Sequence, residues 1–134
     1  MSSETIKYET QVKYAALSAA AATILAGGDN EVASFNLDVN FKKAIGVKVI
    51  PIDMAGLTQF DIAIQHSELT QRDAIDYRDW TVSNGAKYID TFKPINIGAK
   101  GTPVTVRVKN LLQAIAMGQI LRFQIIFLLT NDEV

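Results

Sequence analysis

The sequence predicts an all-β protein, an antiparallel β-sandwich with one or two short helices. The first observation is a period-two alternation of apolar and polar residues, which is typical of strands with one buried face. The second is the regular spacing of turn signals between these segments, as in sandwiches and barrels. The third is that strands do not alternate with helical segments, which argues against a parallel doubly wound sheet.

Strands are expected wherever this alternation is sustained. It is clearest at residues 35–41, and in residues 45–52 it changes phase at Pro51. Because proline donates no backbone hydrogen bond, this change predicts a bulge or an edge position there. The other expected strands are 6–14, 60–66, 95–97, 104–109 and 120–130. The turn signals are Gly27 to Asn30, Ala55-Gly56, Ser83 to Gly85 and Gly98 to Pro103.

The sequences of two segments are compatible with more than one structure. Residues 15–26 are rich in alanine and end before Gly27-Gly28, which suits a helix. However, strand 6–14 runs into them without a turn, so a strand is equally compatible. Residues 110–118 fit either a short helix or a covered loop.

The length of the chain predicts that residues 1–134 form one sandwich domain. Within it, we expect residues 1–14 to be an N-terminal strand or arm and residues 67–90 to be a loop or short-helix excursion. The excursion includes 70–79, whose capping-box-like start predicts a short helix or a turn-rich segment.

Composition excludes several classes of protein. The net charge is −1 and there is no long run of Lys and Arg, so no nucleic-acid partner is predicted. The absence of cysteine excludes disulfides and thiolate metal sites. The polar, acidic start MSSETIKYET does not resemble a signal peptide, so secretion by that route is not expected. Residues 110–131 are long enough to span a membrane, but Arg122 near their middle would cost about 2.5–3.5 kcal/mol, so no membrane span is predicted.

Candidate catalytic and ligand-binding residues are few. His66 is the only histidine and follows the inward face of its strand, so it is interpreted as a packed strand-end residue. Asp73, Asp76 and Asp79 do not follow an EF-hand pattern and are interpreted as a salt-bridged loop, with a cation site as the alternative. The segment 98–103 lacks P-loop spacing. No catalytic residue, cofactor or metal ligand is predicted, and the chain is not expected to be an enzyme.

Three aromatic residues in the excursion, Trp80, Tyr77 and Tyr88, are candidates for a subunit interface. Large aromatic side chains anchor many protein interfaces, and exposed ones also stack on sugar rings. Packing of these side chains against the sandwich of the same chain is the alternative to both roles.

The last strand adds two interface candidates, because both of its faces become apolar. Ile126 and Leu128 lie opposite its core face, where a sheet with one solvated face should be polar. Residues 15–26, residues 110–118 or a neighbouring subunit could cover them. We predict that this face is buried by assembly.

Three stretches resemble jelly-roll virion structural proteins of bacteriophages. They are TILAGGDNEVASFNLDVNF at 23–41, FDIAIQHSE at 60–68 with DWT at 79–81, and the long closing strand. The resemblance covers about 70% of the chain and lies in the pattern more than in identity. It implies a jelly-roll fold and a structural role with no substrate.

The expected function is therefore that of a non-enzymatic capsid, vertex, spike-base or decoration subunit. Such a protein would form homo-oligomers and bind other virion proteins, and it would be located in the virion after assembly in the host cytoplasm. The alternative is a carbohydrate-binding or adhesin-type β-sandwich module.

Overall fold

The computed structural model describes residues 8–19, 21–67, 75–81 and 91–131, and in these residues antiparallel strands dominate. The elements are β1 (Glu9–Ser18), β2 (Gly27–Asn36), β3 (Lys43–Met54), β4 (Asp61–Gln65), β5 (Ile75–Asp76), α1 (Tyr77–Trp80), β6 (Lys93–Gly98), β7 (Pro103–Leu111) and β8 (Ile120–Thr130). They form two four-stranded sheets, in the orders β1-β8-β3-β6 and β2-β7-β4-β5. Every pairing between named strands is antiparallel, which confirms the predicted all-β class.

Both sheets contribute to one hydrophobic core. The ring of Phe35 on β2 meets the ring of Phe127 on β8 edge-on, with centroids 5.9 Å apart. Phe60, which precedes β4, packs against Phe123 on β8 with centroids 6.2 Å apart. Aromatic rings from the two sheets therefore touch, and β8 lies at the centre of the packing.

A glutamine side chain joins the sheets where β1 and β2 run side by side. Gln11 on β1 donates a hydrogen bond from Nε2 to the carbonyl oxygen of Asn36, at 3.0 Å. Its Oε1 accepts one from the backbone N–H of Asp38, at 2.8 Å. The Gln11 carboxamide thus pairs with one backbone carbonyl and one backbone N–H at the end of β2, as a neighbouring strand would.

The sequence located β8 at its observed bounds and also predicted the irregularity at Pro51. The register between β3 and β8 shifts between Pro51 and Asp53, so the predicted bulge is confirmed. The turn at Ala55-Gly56 is also found, with both residues at positive φ and a hydrogen bond from the Leu57 N–H to the Met54 carbonyl.

Two local predictions are wrong. The strand expected at 35–41 ends at Asn36, because the chain turns at residues 38–40, where the Asp38 carboxylate accepts a hydrogen bond from the Asn40 N–H. The turn expected at Gly27 to Asn30 is instead the start of β2. Gly27 and Gly28 both have positive φ, so the backbone there is irregular but still paired with β7.

The alanine-rich segment is not helical in the part that the structure describes. β1 continues to Ser18, and Ile24 then forms a bridge with Ile115. Residues 112–119, which follow β7, likewise form a loop rather than a helix. The two segments satisfy each other's backbone groups, so neither needs the internal hydrogen bonds of a helix.

Candidate functional site

Trp80 and Tyr77, two of the predicted interface residues, pack within their own chain. Trp80 is buried, and its indole N–H donates to the carbonyl oxygen of Ile62 on β4 at 3.0 Å. Tyr77 is half-buried and stacks on Phe60, with ring centroids 4.7 Å apart. The expectation that Trp80 is exposed to a partner is corrected, because it fixes α1 to β4. Tyr88 lies outside the described residues.

Ile126 and Leu128 do lie on the outward face of β8, but the same chain covers them. They are 7% and 1% exposed, and they form a small buried cluster with Phe92. The prediction that another subunit must bury them is therefore wrong. The covering segment is the approach to β6, and neither of the two segments that the sequence suggested supplies it.

The position of Phe92 depends on a glycine and a lysine of β3. A Cβ atom at Gly46 would lie only 2.7 Å from the Cβ of Phe92, so the close approach requires glycine. The ammonium of Lys48 lies 4.3 Å from the centroid of the Phe92 ring and donates to Thr91 Oγ1 at 3.2 Å. Alternation along β3 places Lys48 on the outward face of the strand, and only the fold reveals that it is nevertheless buried.

His66 is a packed strand-end residue, as predicted. It is buried, and its Nε2 lies 2.9 Å from the carbonyl oxygen of Gly98 and 2.8 Å from Thr102 Oγ1. The Thr102 hydroxyl in turn donates to the Gly98 carbonyl at 2.8 Å. Since that carbonyl only accepts, Nε2 donates to it, and the ring ties the end of β4 to the turn between β6 and β7.

The aspartates near α1 are paired with basic residues. Asp76 binds Arg78 at 2.8 Å and Asp79 binds Lys93 at 2.7 Å, which fits the interpretation as a salt-bridged segment. The Arg78 side-chain hydrogen bond lowers the pKa of Asp76 to about 2. Asp73 lies outside the described residues. Among the described side chains, no three His, Asp or Glu residues gather into a possible metal site.

Among the described residues, seven large apolar side chains are exposed; Val39 lies in the turn that follows β2, and the other six form two groups. The first lies on the outward face of β1-β8-β3, here called the outer sheet face, and comprises Val12, Tyr14 and Ile52. Val12 lies opposite Ile126 in the strand register, so this group adjoins the covered cluster. The second group, Leu25, Leu112 and Met117, lies on loops at one end of the molecule.

We call this second region the loop end, and it consists of residues 21–26, 55–60 and 112–119. Its three loops are hydrogen-bonded to one another. Ile24 and Ile115 exchange two backbone hydrogen bonds of 3.0 and 2.8 Å. The Leu112 N–H donates to the Gln59 carbonyl at 3.1 Å, and the Thr58 N–H donates to Gln113 Oε1 at 3.1 Å. The loops therefore form one preorganised surface.

The outward face of the second sheet has the opposite character. Arg107 on β7 pairs with Asp29 at 3.4 Å and with Glu31 at 3.8 Å, and Lys109 pairs with Asp29 at 3.7 Å. Such a ladder of exposed ion pairs suits a solvated face. The two outer faces of the molecule thus differ: one is charged, and the other carries apolar side chains.

Within the described part of the chain, no helix has the length and hydrophobicity needed to cross a membrane. Comparison of the sequence with models of known protein families finds no match, and comparison with curated proteins finds none either.

Proposed function

We propose that this protein is a non-enzymatic virion structural protein. In this proposal the fold is a jelly-roll β-sandwich, and the protein is a capsid, vertex, spike-base or decoration subunit of a bacteriophage. It assembles with copies of itself and with other virion proteins in the host cytoplasm.

The observation that carries the proposal is the nesting of the strand pairs. The pairs β1–β8, β2–β7, β3–β6 and β4–β5 are those of one long antiparallel hairpin, with β4 and β5 nearest its tip. The pairings of β3 with β8 and of β4 with β7 then join this ribbon into two sheets. This pairing pattern is the one expected of a double Greek key, and it therefore supports the proposed jelly roll, a fold used by viral capsid proteins and lectins among others.

The distribution of side chains favours a structural role over the carbohydrate-binding alternative. That alternative rested on Trp80 and the tyrosines. The ring of Trp80 is buried and cannot stack on a sugar, and Tyr77 is half-buried against Phe60. By contrast, the outer sheet face and the loop end expose several large apolar side chains on a firmly hydrogen-bonded framework. Surfaces of this kind are typical of protein–protein contacts.

The test is the assembly state of the purified protein. We expect negative-stain microscopy, of the protein alone and of its native extract, to reveal rings, shells or spikes. Light scattering coupled to gel filtration should give a mass above that of one 14.7 kDa chain. A strict monomer at high concentration, with no affinity for other particle proteins, would refute the proposal. Glycan-array binding without assembly would favour the carbohydrate-binding alternative.

A further inference from the structure

The loop end is unusual because its sequence carries no charge. Its three segments hold twenty residues, and none of them is Asp, Glu, Lys, Arg or His. At the 20% charged fraction of the whole chain, twenty residues would carry about four charges. Fifteen of the twenty are exposed, so this lack of charge is a property of the surface and not of a buried core. Depletion of charge together with exposed Met is typical of the centre of protein interfaces.

Charged residues begin again where the loops join the strands. Asp53 on β3 and Arg122 on β8 lie opposite each other in the strand register, next to the loop end. Asp61 opens β4, and Lys109 lies near the end of β7. An uncharged centre with a charged border matches the core-and-rim organisation of interfaces.

We infer that the loop end is a contact surface for a second copy of this chain, joined to it by a two-fold axis. In a two-fold contact each patch meets its own copy, so a charged patch would face like charges. Twenty uncharged residues avoid this repulsion, which makes the loop end electrostatically compatible with itself. The inference rests on the proposed function, because it names the surface through which assembling copies meet.

A lipid surface fits the loop end less well. Interfacial membrane-binding segments combine apolar side chains with Trp or Tyr and with nearby Lys or Arg. The three segments contain no Trp, Tyr, Lys or Arg, and their one aromatic residue, Phe60, is buried. The composition of the loop end therefore favours an uncharged protein surface as its partner.

The contact should be weak when only two copies meet. A standard-size interface uses about 20–30 residues on each side, whereas the loop end exposes fifteen. However, its loops are already hydrogen-bonded to each other, so little ordering cost is expected on binding. We therefore expect reversible association in the micromolar to millimolar range, strengthened when several contacts act together.

The experiment places charges on the loop end. Leu25 and Met117 are 76% and 65% exposed, so substituting them should leave the fold intact. One double variant carries Leu25→Glu and Met117→Glu, and the other carries Leu25→Lys and Met117→Lys. The matched controls are Val39→Glu and Val39→Lys, because Val39 is 70% exposed but lies in a turn at the opposite end of the molecule. Circular dichroism and urea unfolding verify that each variant is folded.

The readout is the protein concentration at which half of the chains are in species larger than a monomer, measured by sedimentation velocity. We expect each double variant to need at least a tenfold higher concentration than the wild type. An equimolar mixture of the Glu and Lys variants should return to within about threefold of the wild type, because opposite charges then meet across the contact. The Val39 variants should behave like the wild type.

The failures are distinguishable. A wild type that stays monomeric at the highest concentration overturns both this inference and the proposed function. Assembly that the loop-end variants do not weaken overturns the inference alone. Weakening without recovery in the mixture means that the loop end meets a different surface, which also overturns it. Cosedimentation of the monomeric wild type with phosphatidylcholine vesicles, lost in both double variants, would assign the loop end to lipid instead.

Discussion

Replacing Gly46 with alanine tests how the chain covers the outward face of β8. The new Cβ would lie 2.7 Å from the Cβ and 3.2 Å from the Cγ of Phe92, and 3.4 Å from the Cβ of Leu128. The φ of Gly46 is not positive, so alanine fits the backbone and the steric contact is the main effect. The alanine variant should therefore force the segment that covers Ile126 and Leu128 to move.

The expected loss of stability follows from two opposing effects. Overpacking a tight site costs about 1–3 kcal/mol, whereas a Gly-to-Ala change at a compatible position recovers about 0.4–1 kcal/mol through the unfolded chain. The net loss is about 1–2 kcal/mol. At about 2.1 cal/mol/K per residue, 134 residues have an unfolding entropy of about 0.28 kcal/mol/K, so the Tm should fall by about 4–7 °C.

A double-mutant cycle with Phe92 isolates the contact. Phe92→Ala keeps the Cβ that would clash, so Gly46→Ala should remain costly in that background. Phe92→Gly removes the whole side chain, so the same alanine should there be neutral or slightly stabilising. Urea unfolding followed by circular dichroism gives all the free energies of unfolding. An equal loss from Gly46→Ala in the wild type and in the Phe92→Gly background would refute the reasoning.

Three further predictions follow from single contacts. Trp80→Phe removes the indole hydrogen bond to β4 and should cost about 1–3 kcal/mol in urea unfolding, and a change below about 0.5 kcal/mol would show that the bond contributes little. The Asp76 carboxyl should titrate near pH 2 by NMR, and Arg78→Gln should return its pKa toward 3.8. Because the pKa is lowered in the folded state, Asp76 stabilises the fold above pH 3.8, and this contribution disappears as the pH falls toward 2. An Asp76→Asn variant whose stability depends on acid pH in the same way as that of the wild type would contradict this. Thr102→Val removes the hydroxyl that contacts His66 and the Gly98 carbonyl, so it should lower the free energy of unfolding in urea by about 1–2 kcal/mol. Thr105→Val, on the outward face of β7, should show no comparable loss.

Much of the strand framework could be predicted because alternation is a local signal. In β7 one face is buried, so apolar residues recur at every second position, and β8 begins with the same alternation, which marks both strands directly. The bulge at Pro51 was also predictable, because the missing N–H and the phase change occur together in the sequence. Where tertiary contacts override the local signal, prediction failed. Residues 35–41 alternate well, but the chain leaves the sheet after Asn36.

The candidate surfaces were less predictable, because exposure depends on residues distant in the sequence. Ile126 and Leu128 were correctly identified as apolar residues on the outward face, but nothing in the sequence near them indicates that Phe92 covers them. The loop end could not be predicted, because its three segments come from separate parts of the chain and each resembles an ordinary uncharged loop. Their common property becomes visible only when backbone hydrogen bonds bring them together.

The sequence by itself determined the all-β class and the position of the last strand, because the alternation of buried and exposed side chains in a strand appears directly as an alternation of apolar and polar residues. It also determined that catalytic chemistry has few candidate residues, with one histidine and no cysteine. Only the tertiary structure decided the nesting of the strand pairs, the burial of Trp80 and Lys48, and the joining of three loops into one uncharged surface. These features depend on which distant segments pair, and local alternation does not specify the partner of a strand.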